Sequence, residues 1–114
     1  MRYGYIGLGN LGGHLAHSLV KKGYDVTVYD LDPKLAERHL KDGAKWAATP
    51  AELASKVDVV FTCLPSPVVS EKVLTQILTT LKPGSVWIEN STNGRDEMIR
   101  LATMAEAKGI KVLE

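Results

Sequence analysis

Short apolar runs alternate with amphipathic segments along the whole chain, and this alternation is the main structural signal in the sequence. The apolar runs predict six strands, at residues 3–6, 26–29, 44–46, 57–64, 85–88 and 110–113. The run at 57–64 is almost unbroken, which is typical of a parallel strand covered on both faces. Strands that alternate with helices imply parallel pairing and right-handed crossovers. The pattern therefore predicts an α/β fold, a doubly wound parallel sheet of about six strands with helices on both faces.

Five helices are predicted between these strands from apolar residues at helical spacing. The expected buried stripes are Leu11, Leu15, Leu19 and Val20 in the first helix, Ala36 and Leu40 in the second, Val69, Val73, Ile77 and Leu81 in the fourth, and Met98, Leu101, Ala102 and Ala105 in the fifth. Three helices begin with a capping side chain followed by proline, at Asp32-Pro33, Thr49-Pro50 and Ser66-Pro67. Glu52 completes a capping box with Thr49.

Length and composition indicate one ordinary globular domain, residues 1–114. Charged residues make up 24% and apolar residues 45% of the chain, and a chain of this length buries a core without metals or crosslinks. The formal net charge of +1 gives no electrostatic footprint for nucleic acid or an anionic membrane. No apolar run is long enough to span a membrane, and the first residues lack the pattern of a signal peptide. We expect a reducing compartment, the cytosol, with no nucleic-acid and no membrane partner.

Cysteine and histidine give no sign of redox or metal chemistry. Cys63 is the only cysteine and lies in an apolar run, so we expect a buried core thiol rather than a nucleophile. His14, His17 and His39 do not fall at the spacing of a metal site. We therefore expect no metal.

The turn after the first strand carries the most specific motif in the chain. Its six residues are Gly7, Leu8, Gly9, Asn10, Leu11 and Gly12, which satisfy G-x-G-x-x-G between a predicted strand and a predicted helix. In a dinucleotide site the first glycine allows the tight turn, the second lets the pyrophosphate approach the backbone and the third lets the helix pack on the strand. The start of the helix offers unpaired N–H groups to the phosphates.

Asp30 ends the second strand, about 20 residues after the turn, where this motif places the carboxylate that accepts from the adenosine ribose. A carboxylate there repels a 2′-phosphate, so NAD is favoured over NADP. Lys34 and Arg38 lie close enough in sequence to soften that preference, so NADP stays possible. The alternative is a glycine-rich turn that binds nothing, with Asp30 a solvated strand end.

Two further loops are expected at the same edge of the sheet, because ligands of such folds bind at the carboxyl ends of the strands. One follows the fourth strand at residues 63–67 and contributes backbone and proline contacts. The other, at residues 89–94, brings Ser91 and Thr92 toward the nicotinamide end of a cofactor. The alternatives are ordinary helix capping by Ser91 and Thr92 and a plain N-cap at Ser66.

The combination resembles the β-hydroxyacid dehydrogenases, the family of 3-hydroxyisobutyrate dehydrogenase, tartronate semialdehyde reductase and 6-phosphogluconate dehydrogenase. The stretches that carry the resemblance are residues 5–12 with Ala16, residues 63–66 and residues 88–92. The resemblance implies a Rossmann-type cofactor domain in which the glycine turn and Asp30 hold NAD. It further implies that Leu64 and Pro65 line the cofactor. In the same comparison Thr92 reaches the nicotinamide side and Ser91 contacts the substrate carboxylate.

The chain also departs from the family pattern. Leu11 stands where methionine is usual, Ser18 where asparagine is common, and Glu89-Asn90 where Asp-Ser is frequent. The family's glycine-rich substrate motif begins after the position of Glu114, and its catalytic lysine belongs to a helical second domain. The resemblance therefore implies a cofactor domain alone, with no catalytic residue in this chain, no useful turnover by itself, and oligomerisation only through the absent domain.

The leading hypothesis is the cofactor domain of an NAD(P)-dependent oxidoreductase that transfers hydride between nicotinamide and a small 3-hydroxy acid. One alternative is a stand-alone NAD(H)-binding sensor module without catalysis, since the fold alone does not define an activity. Another is the cofactor domain of an imine reductase on the same scaffold.

Overall fold

Six parallel strands form one sheet, with helices packed on both of its faces. The computed structural model describes residues 1–90 and 94–113, without the side chains of residues 10–12. The elements in chain order are β1 (Arg2–Ile6), α1 (Asn10–Lys21), β2 (Asp25–Tyr29), a 3₁₀ helix (Pro33–Ala36), α2 (Glu37–Lys41), β3 (Lys45–Trp46), α3 (Pro50–Ser55), β4 (Val59–Thr62), α4 (Pro67–Ile77), β5 (Val86–Glu89), α5 (Arg95–Glu106) and β6 (Lys111–Leu113). These elements confirm the predicted α/β fold of Rossmann type.

The strand order is β3-β2-β1-β4-β5-β6, and every pair is parallel. The direction in which strands are added reverses between β1 and β4. Tyr5 on β1 stands opposite Val28 on one side and Phe61 on the other. In sheets of this kind the reversal opens a crevice at the carboxyl ends of the two central strands, which places the candidate site beyond Ile6 and Thr62.

Two apolar cores lie on opposite faces of the sheet. On one face α3, α4 and α5 pack around buried side chains that include Leu53, Ile77, Trp87 and Leu101. On the other face α1 and the segment after β2 pack around Tyr5, Ala16, Val28 and Ala36. Successive residues of a strand point to opposite faces, and accordingly neighbouring strand residues belong to different cores. The central strands are therefore covered on both faces, as their apolar runs predict.

The helix starts follow the predicted capping chemistry. The N–H of Lys34 donates to Asp32, that of Glu52 to Thr49, and that of Val69 to Ser66, each through the side-chain oxygen of the capping residue. In the capping box the Glu52 carboxylate accepts from the N–H of Ala48, at 2.7 Å, rather than from the N–H of Thr49. Each of these starts is thus fixed by a local side-chain bond.

The predicted buried faces of α1 and α2 are partly wrong. Leu15 is 40% exposed, whereas Gly13 and Ala16 are buried. The reason is that the face of α1 that packs in the core is centred on Ala16 and Val20, which leaves Leu15 at the margin of that face. On α2, Leu40 is exposed and His39 is fully buried in its place. Helical periodicity alone does not separate these neighbouring positions.

Candidate functional site

A cavity of about 440 Å³ opens at the carboxyl edge of the sheet, where β1, β2 and β4 end. Its lining residues are Ile6, Gly7, Gly9, Tyr29, Asp30, Leu31, Leu35, Cys63, Leu64, Pro65, Val69 and Val73. Five residues predicted to contact a cofactor therefore line a single cavity. Those five are Gly7, Gly9, Asp30, Leu64 and Pro65.

Gly7 makes the turn out of β1 in a conformation that favours glycine. Its φ is +98°, and a Cβ built at this position would lie 2.1 Å from the carbonyl oxygen of Cys63. Its N–H donates to the carbonyl of Tyr29 at 3.1 Å, and the N–H of Cys63 donates to the carbonyl of Ile6 at 2.9 Å. The turn is thus held in backbone contact with the loop after β4, and no larger residue fits there without a shift of the backbone.

Gly9 has the opposite environment. It is the exposed N-cap of α1 with extended backbone angles, φ −66° and ψ −166°, and a Cβ built on it would meet no atom within 4 Å. Nothing in the described protein therefore requires a glycine at this position. The space left beside the backbone is what a phosphate group needs to approach the start of the helix.

The start of α1 is suited to an anion. Among the described residues no side chain caps it, and its first turn contains no acidic residue. The first N–H groups of a helix lack intrahelical partners and carry the positive end of the helix dipole. The N–H groups that begin α1 are therefore able to donate to an anionic group.

The carboxylate of Asp30 is held by two backbone donors at the edge of the cavity. Its Oδ2 accepts from the N–H of Leu8 at 2.8 Å, and its Oδ1 accepts from the N–H of Asp32 at 2.9 Å. Each carboxylate oxygen accepts more than one hydrogen bond, so capacity for ribose hydroxyls is left. The sequence predicts that Asp30 accepts from the ribose, but it does not predict that Asp30 also holds the glycine turn, because the bond to Leu8 joins two elements that are distant in the chain.

Gly13 lies close to two neighbouring groups, and the glycine motif does not predict this contact. A Cβ at Gly13 would lie 2.8 Å from the carbonyl oxygen of Leu8 and 2.7 Å from a guanidinium nitrogen of Arg38. The glycine doublet at residues 12 and 13 is the sequence signal for this contact. Gly13 thus lets the Arg38 side chain cross over the first turn of α1.

Arg38 belongs to a second cleft, of about 420 Å³, next to the first. The residues that line it are Leu8, Gly9, His14, Lys34, Leu35, Glu37 and Arg38. Gly9 and Leu35 line both spaces. The two clefts therefore adjoin at Gly9 and Leu35, and the second one is bordered by the charged residues Lys34, Glu37 and Arg38.

Cys63 meets the expectation of a buried core thiol only in part. It packs against the core on the α1 face of the sheet, but it is half-buried and also lines the cavity, because β4 ends at Thr62 and Cys63 is already at the open edge. Ser66 is the N-cap of α4 and accepts from the N–H of Val69 at 3.3 Å. Leu64 is half-buried and Pro65 is exposed.

The end of β5 is fixed by two contacts of Asn90. Its N–H donates to the carbonyl of Thr62 at 2.8 Å, and its Nδ2 lies 3.4 Å from the hydroxyl of Tyr5. Burial raises the pKa of Tyr5, and the bond from Asn90 offsets part of that rise. Glu89, expected in the loop, is instead the last residue of β5 and is buried.

Several predicted site residues lie outside the described part of the chain. Ser91 and Thr92 are two of them, and for Asn10, Leu11 and Gly12 only the backbone is described. Within residues 1–90 and 94–113 no group of three or more His, Cys, Asp or Glu side chains is arranged to hold a metal ion. Across the same residues, no helix combines the length and apolar character that a membrane span requires.

A doubly wound sheet with a glycine turn, an uncapped helix start and an acidic residue after β2 defines a dinucleotide-binding α/β domain. Sequence comparison assigns the family: a model described as the NAD binding domain of 6-phosphogluconate dehydrogenase matches residues 2–114. The chain belongs to this family, and its relatives include 3-hydroxyisobutyrate dehydrogenases. The resemblance of the sequence to the family's NAD-binding domain is thereby confirmed.

The chain is 37% identical to the mitochondrial 3-hydroxyisobutyrate dehydrogenase of Rattus norvegicus over 109 aligned residues. The aligned region covers 93% of this chain. Among solved structures it superposes on Mycobacterium tuberculosis 3-hydroxyisobutyrate dehydrogenase with L-serine at a TM-score of 0.92, with 27% identity over 98% of this chain. It also superposes on an imine reductase from a Pseudomonas species at a TM-score of 0.89, with 26% identity over 97% of this chain.

The matched region is only part of each relative. It covers 32% of the rat protein and 39% of each of the two solved chains. The chain thus spans between 32% and 39% of the length of these three relatives and corresponds to an NAD-binding domain.

Proposed function

We propose that residues 1–114 form the cofactor-binding unit of an NAD-preferring dehydrogenase that acts on a small 3-hydroxy acid. The observation that carries this proposal is the single cavity lined by Gly7, Gly9, Asp30, Leu64 and Pro65. The substrate class is supported by the rat 3-hydroxyisobutyrate dehydrogenase and by the Mycobacterium tuberculosis enzyme solved with L-serine, which is itself a 3-hydroxy acid.

Binding is proposed to proceed from the backbone outward. The pyrophosphate lies over Gly9, where no side chain intervenes, against the free N–H groups that begin α1. Asp30 accepts from the adenosine ribose with the lone pairs that Leu8 and Asp32 leave available. Leu31 and Leu35 then provide an apolar wall for the adenine base.

The nicotinamide end is proposed to lie between the loop of Leu64 and Pro65 and the end of β5. When bound, the nicotinamide supplies hydride transfer at its C4 carbon. Asn90 is fixed by Thr62 and Tyr5 and leads into Ser91 and Thr92, for which we retain the roles of substrate-carboxylate contact and nicotinamide contact. Orientation of two reactants in this way contributes on the order of 7 to 11 kcal/mol at best.

The proton of the substrate hydroxyl needs a separate acceptor. None of the lysines in this chain matches the family motif for that role, so we place the catalytic lysine on a helical substrate domain outside residues 1–114. The proposed division of labour leaves cofactor binding to this chain and proton transfer to that domain. By itself the chain is expected to have no useful turnover.

The preference for NAD is proposed to depend on a balance of charges at the adjoining clefts. Asp30 opposes a 2′-phosphate, as does Glu37 in the second cleft, whereas Lys34 and Arg38 in that cleft attract one. Because Asp30 is held by two backbone donors at the mouth of the cavity, we expect its charge to dominate.

The test is a calorimetric titration of this chain with NADH and, separately, with NADPH. We expect the affinity for NADH to exceed that for NADPH by a factor of about ten or more. ADP-ribose, which lacks nicotinamide, isolates the adenosine half of the site. Failure of all three compounds to bind at millimolar concentration contradicts the proposal, and equal binding of NADH and NADPH contradicts its cofactor preference.

A second candidate, the cofactor unit of an imine reductase, is favoured by the structural similarity to the Pseudomonas enzyme. The two candidates share the cofactor site and differ in the substrate. The two candidates are distinguished by an assay of the full-length protein that compares its turnover of hydroxy acids with its turnover of cyclic imines. NADH absorbance measures both rates. Binding of NADH by a full-length protein that turns over neither substrate class supports a sensor module instead.

A further inference from the structure

His39 is a buried imidazole that the proposed cofactor site does not use. It lies on α2 with 0% of its side chain exposed. Among the described residues neither ring nitrogen has a hydrogen-bond partner. Buried polar groups are nearly always satisfied, so an exception of this kind calls for an explanation.

The ring of His39 lies at the contact between α2 and α1. Its centroid is 6.2 Å from that of His17 on α1, at an interplanar angle of 60°. Asp42, just after α2, lies 3.5 Å from Nδ1 of His17 and 3.6 Å from Nζ of Lys21. The two helices therefore meet through a fully buried imidazole and a small cluster of charges at its edge.

The charges that face His39 are mostly positive. Arg38 on its own helix and His17 on α1 oppose a further positive charge, and Asp42 alone favours one. On the neighbouring β3, Lys45 is already paired with Asp25 on β2 at 3.3 Å. From the preceding 3₁₀ helix, the only ionisable side chain is the exposed Lys34.

Burial lowers the pKa of His39 below its ordinary value of 6.5, and Arg38 and His17 act in the same direction against the smaller effect of Asp42. The packed imidazole is consequently uncharged at neutral pH. A positive charge at this position would have neither water nor a described hydrogen-bond acceptor, and a buried charge of that kind is strongly unfavourable.

His39 also anchors one wall of the candidate cofactor site. Ala36 and His39 are the buried residues of the segment between β2 and β3. The same segment carries Leu31 and Leu35, which line the main cavity, and Arg38, which borders the second cleft. The packing of His39 against α1 therefore positions this segment, whose residues Leu31 and Leu35 form the adenosine-side wall of the cavity.

We propose that His39 is an acid-sensitive latch, which as a neutral imidazole holds α2 against α1 and on protonation releases the adenosine-side wall of the cavity. The release of α2 follows from the packing alone. The accompanying loss of dinucleotide affinity rests on the proposed function.

The sign of the effect follows from proton linkage. A detached or unfolded α2 binds a proton on His39 near pH 6.5, whereas the packed state resists protonation to lower pH. Stability of the α2 contact is therefore fully present above about pH 6.5 and is lost as the pH falls from there toward the lowered pKa of the packed state.

The first test is amide hydrogen exchange of the wild-type chain at about pH 7.5 and about pH 5.5, expressed as protection factors so that the intrinsic pH dependence of exchange cancels. We expect protection in α2 to fall about fivefold or more relative to α4, which lies on the other face of the sheet and serves as the internal control. Equal changes in the two helices overturn the latch.

His39→Leu, a replacement of similar volume, removes the titrating group without leaving an orphaned donor. We expect this variant to keep α2 protection at about pH 5.5 and to lose most of the wild-type pH dependence of its melting temperature between about pH 7.5 and 5.5. Replacement of the exposed His14 by Asn is the matched control and keeps that dependence. An unchanged pH dependence in His39→Leu contradicts the proposal.

The second test measures ADP-ribose affinity at the same two pH values, because this ligand reports the adenosine half alone. We expect the wild-type affinity to fall about fivefold at the lower pH, and that of His39→Leu to fall less than about twofold. An acid-induced opening of α2 without loss of affinity overturns the link to binding. Absence of ADP-ribose binding at neutral pH contradicts the proposed function instead, and the exchange test still decides the latch.

Discussion

The backbone N–H of Leu8 donates to Oδ2 of Asp30 across 2.8 Å, although Leu8 lies in the turn after β1 and Asp30 follows β2. The other oxygen of the same carboxylate accepts from the N–H of Asp32. Asp30 therefore holds the glycine turn in place at the same position where it faces the cavity. Any substitution of Asp30 tests a structural role and a binding role together.

Two replacements of Asp30 separate those roles. Asp30→Asn keeps an acceptor oxygen for one backbone donor and removes the charge, so we expect the ratio of NADH to NADPH affinity to fall about tenfold, equivalent to about 1.4 kcal/mol. Asp30→Ala removes both acceptors and is expected to lower the free energy of unfolding by about 1 to 2 kcal/mol more than Asp30→Asn does.

Calorimetry with each dinucleotide measures the affinity ratio, and urea denaturation measures the stability. An unchanged ratio in Asp30→Asn contradicts the assignment of Asp30 as the adenosine-side selector. The bonds to Leu8 and Asp32 then account for the residue on structural grounds alone.

Gly7→Ala is expected to destabilise the fold severely. A φ of +98° is unfavourable for alanine, and the added Cβ would lie 2.1 Å from the carbonyl oxygen of Cys63. Backbone strain of this kind costs about 1 to 3 kcal/mol, and the displaced backbone adds to it. Thermal unfolding followed by circular dichroism checks the prediction, and a melting temperature equal to that of the wild type would show that the turn relaxes freely.

Gly9→Ala is the matched counterpart, because the added methyl group meets no atom within 4 Å. We expect the melting temperature to change by no more than about 2 °C. NADH and ADP-ribose affinities are expected to fall about tenfold or more, since the methyl group occupies the space beside the backbone that the pyrophosphate needs. Unchanged affinity in a folded Gly9→Ala protein places the pyrophosphate elsewhere.

Thr62→Val is expected to destabilise the protein without a change in size. Nε1 of Trp87 donates to Oγ1 of Thr62 at 2.9 Å, and both residues are buried. Valine leaves that indole N–H without its acceptor, which costs about 1 to 3 kcal/mol. Thr62→Ser keeps the acceptor and is the control, and the measurement is the combined fluorescence of Trp46 and Trp87 in a urea titration. No loss of stability in Thr62→Val contradicts a contribution of the hydrogen bond to the stability of the protein.

Local signals in the sequence account for most of the fold. The caps at Asp32, Thr49 and Ser66 form within a few residues of chain, so each is visible as a short motif. The alternation of strands and helices constrains the sheet to parallel pairing with few possible orders. The glycine turn and Asp30 are recognisable because their spacing reflects one strand–helix–strand unit.

Long-range packing accounts for what the sequence did not reveal. Periodicity assigns Leu15 to the core, whereas the face of α1 that packs there carries Ala16 and Val20. The burial of His39 over Leu40 depends on where α1 lies. Each of these outcomes is set by a neighbouring element rather than by the segment itself.

The contact between Gly7 and Cys63 has a kinetic consequence. Since the turn after β1 and the start of the loop after β4 touch through their backbones, the two sides of the cavity mouth form one preorganised rim. A ligand that binds at this rim meets two loops whose backbones already hold each other in place, so its association there needs no closure of one loop onto the other. Differences in affinity among cofactors are then expected mainly in their dissociation rates.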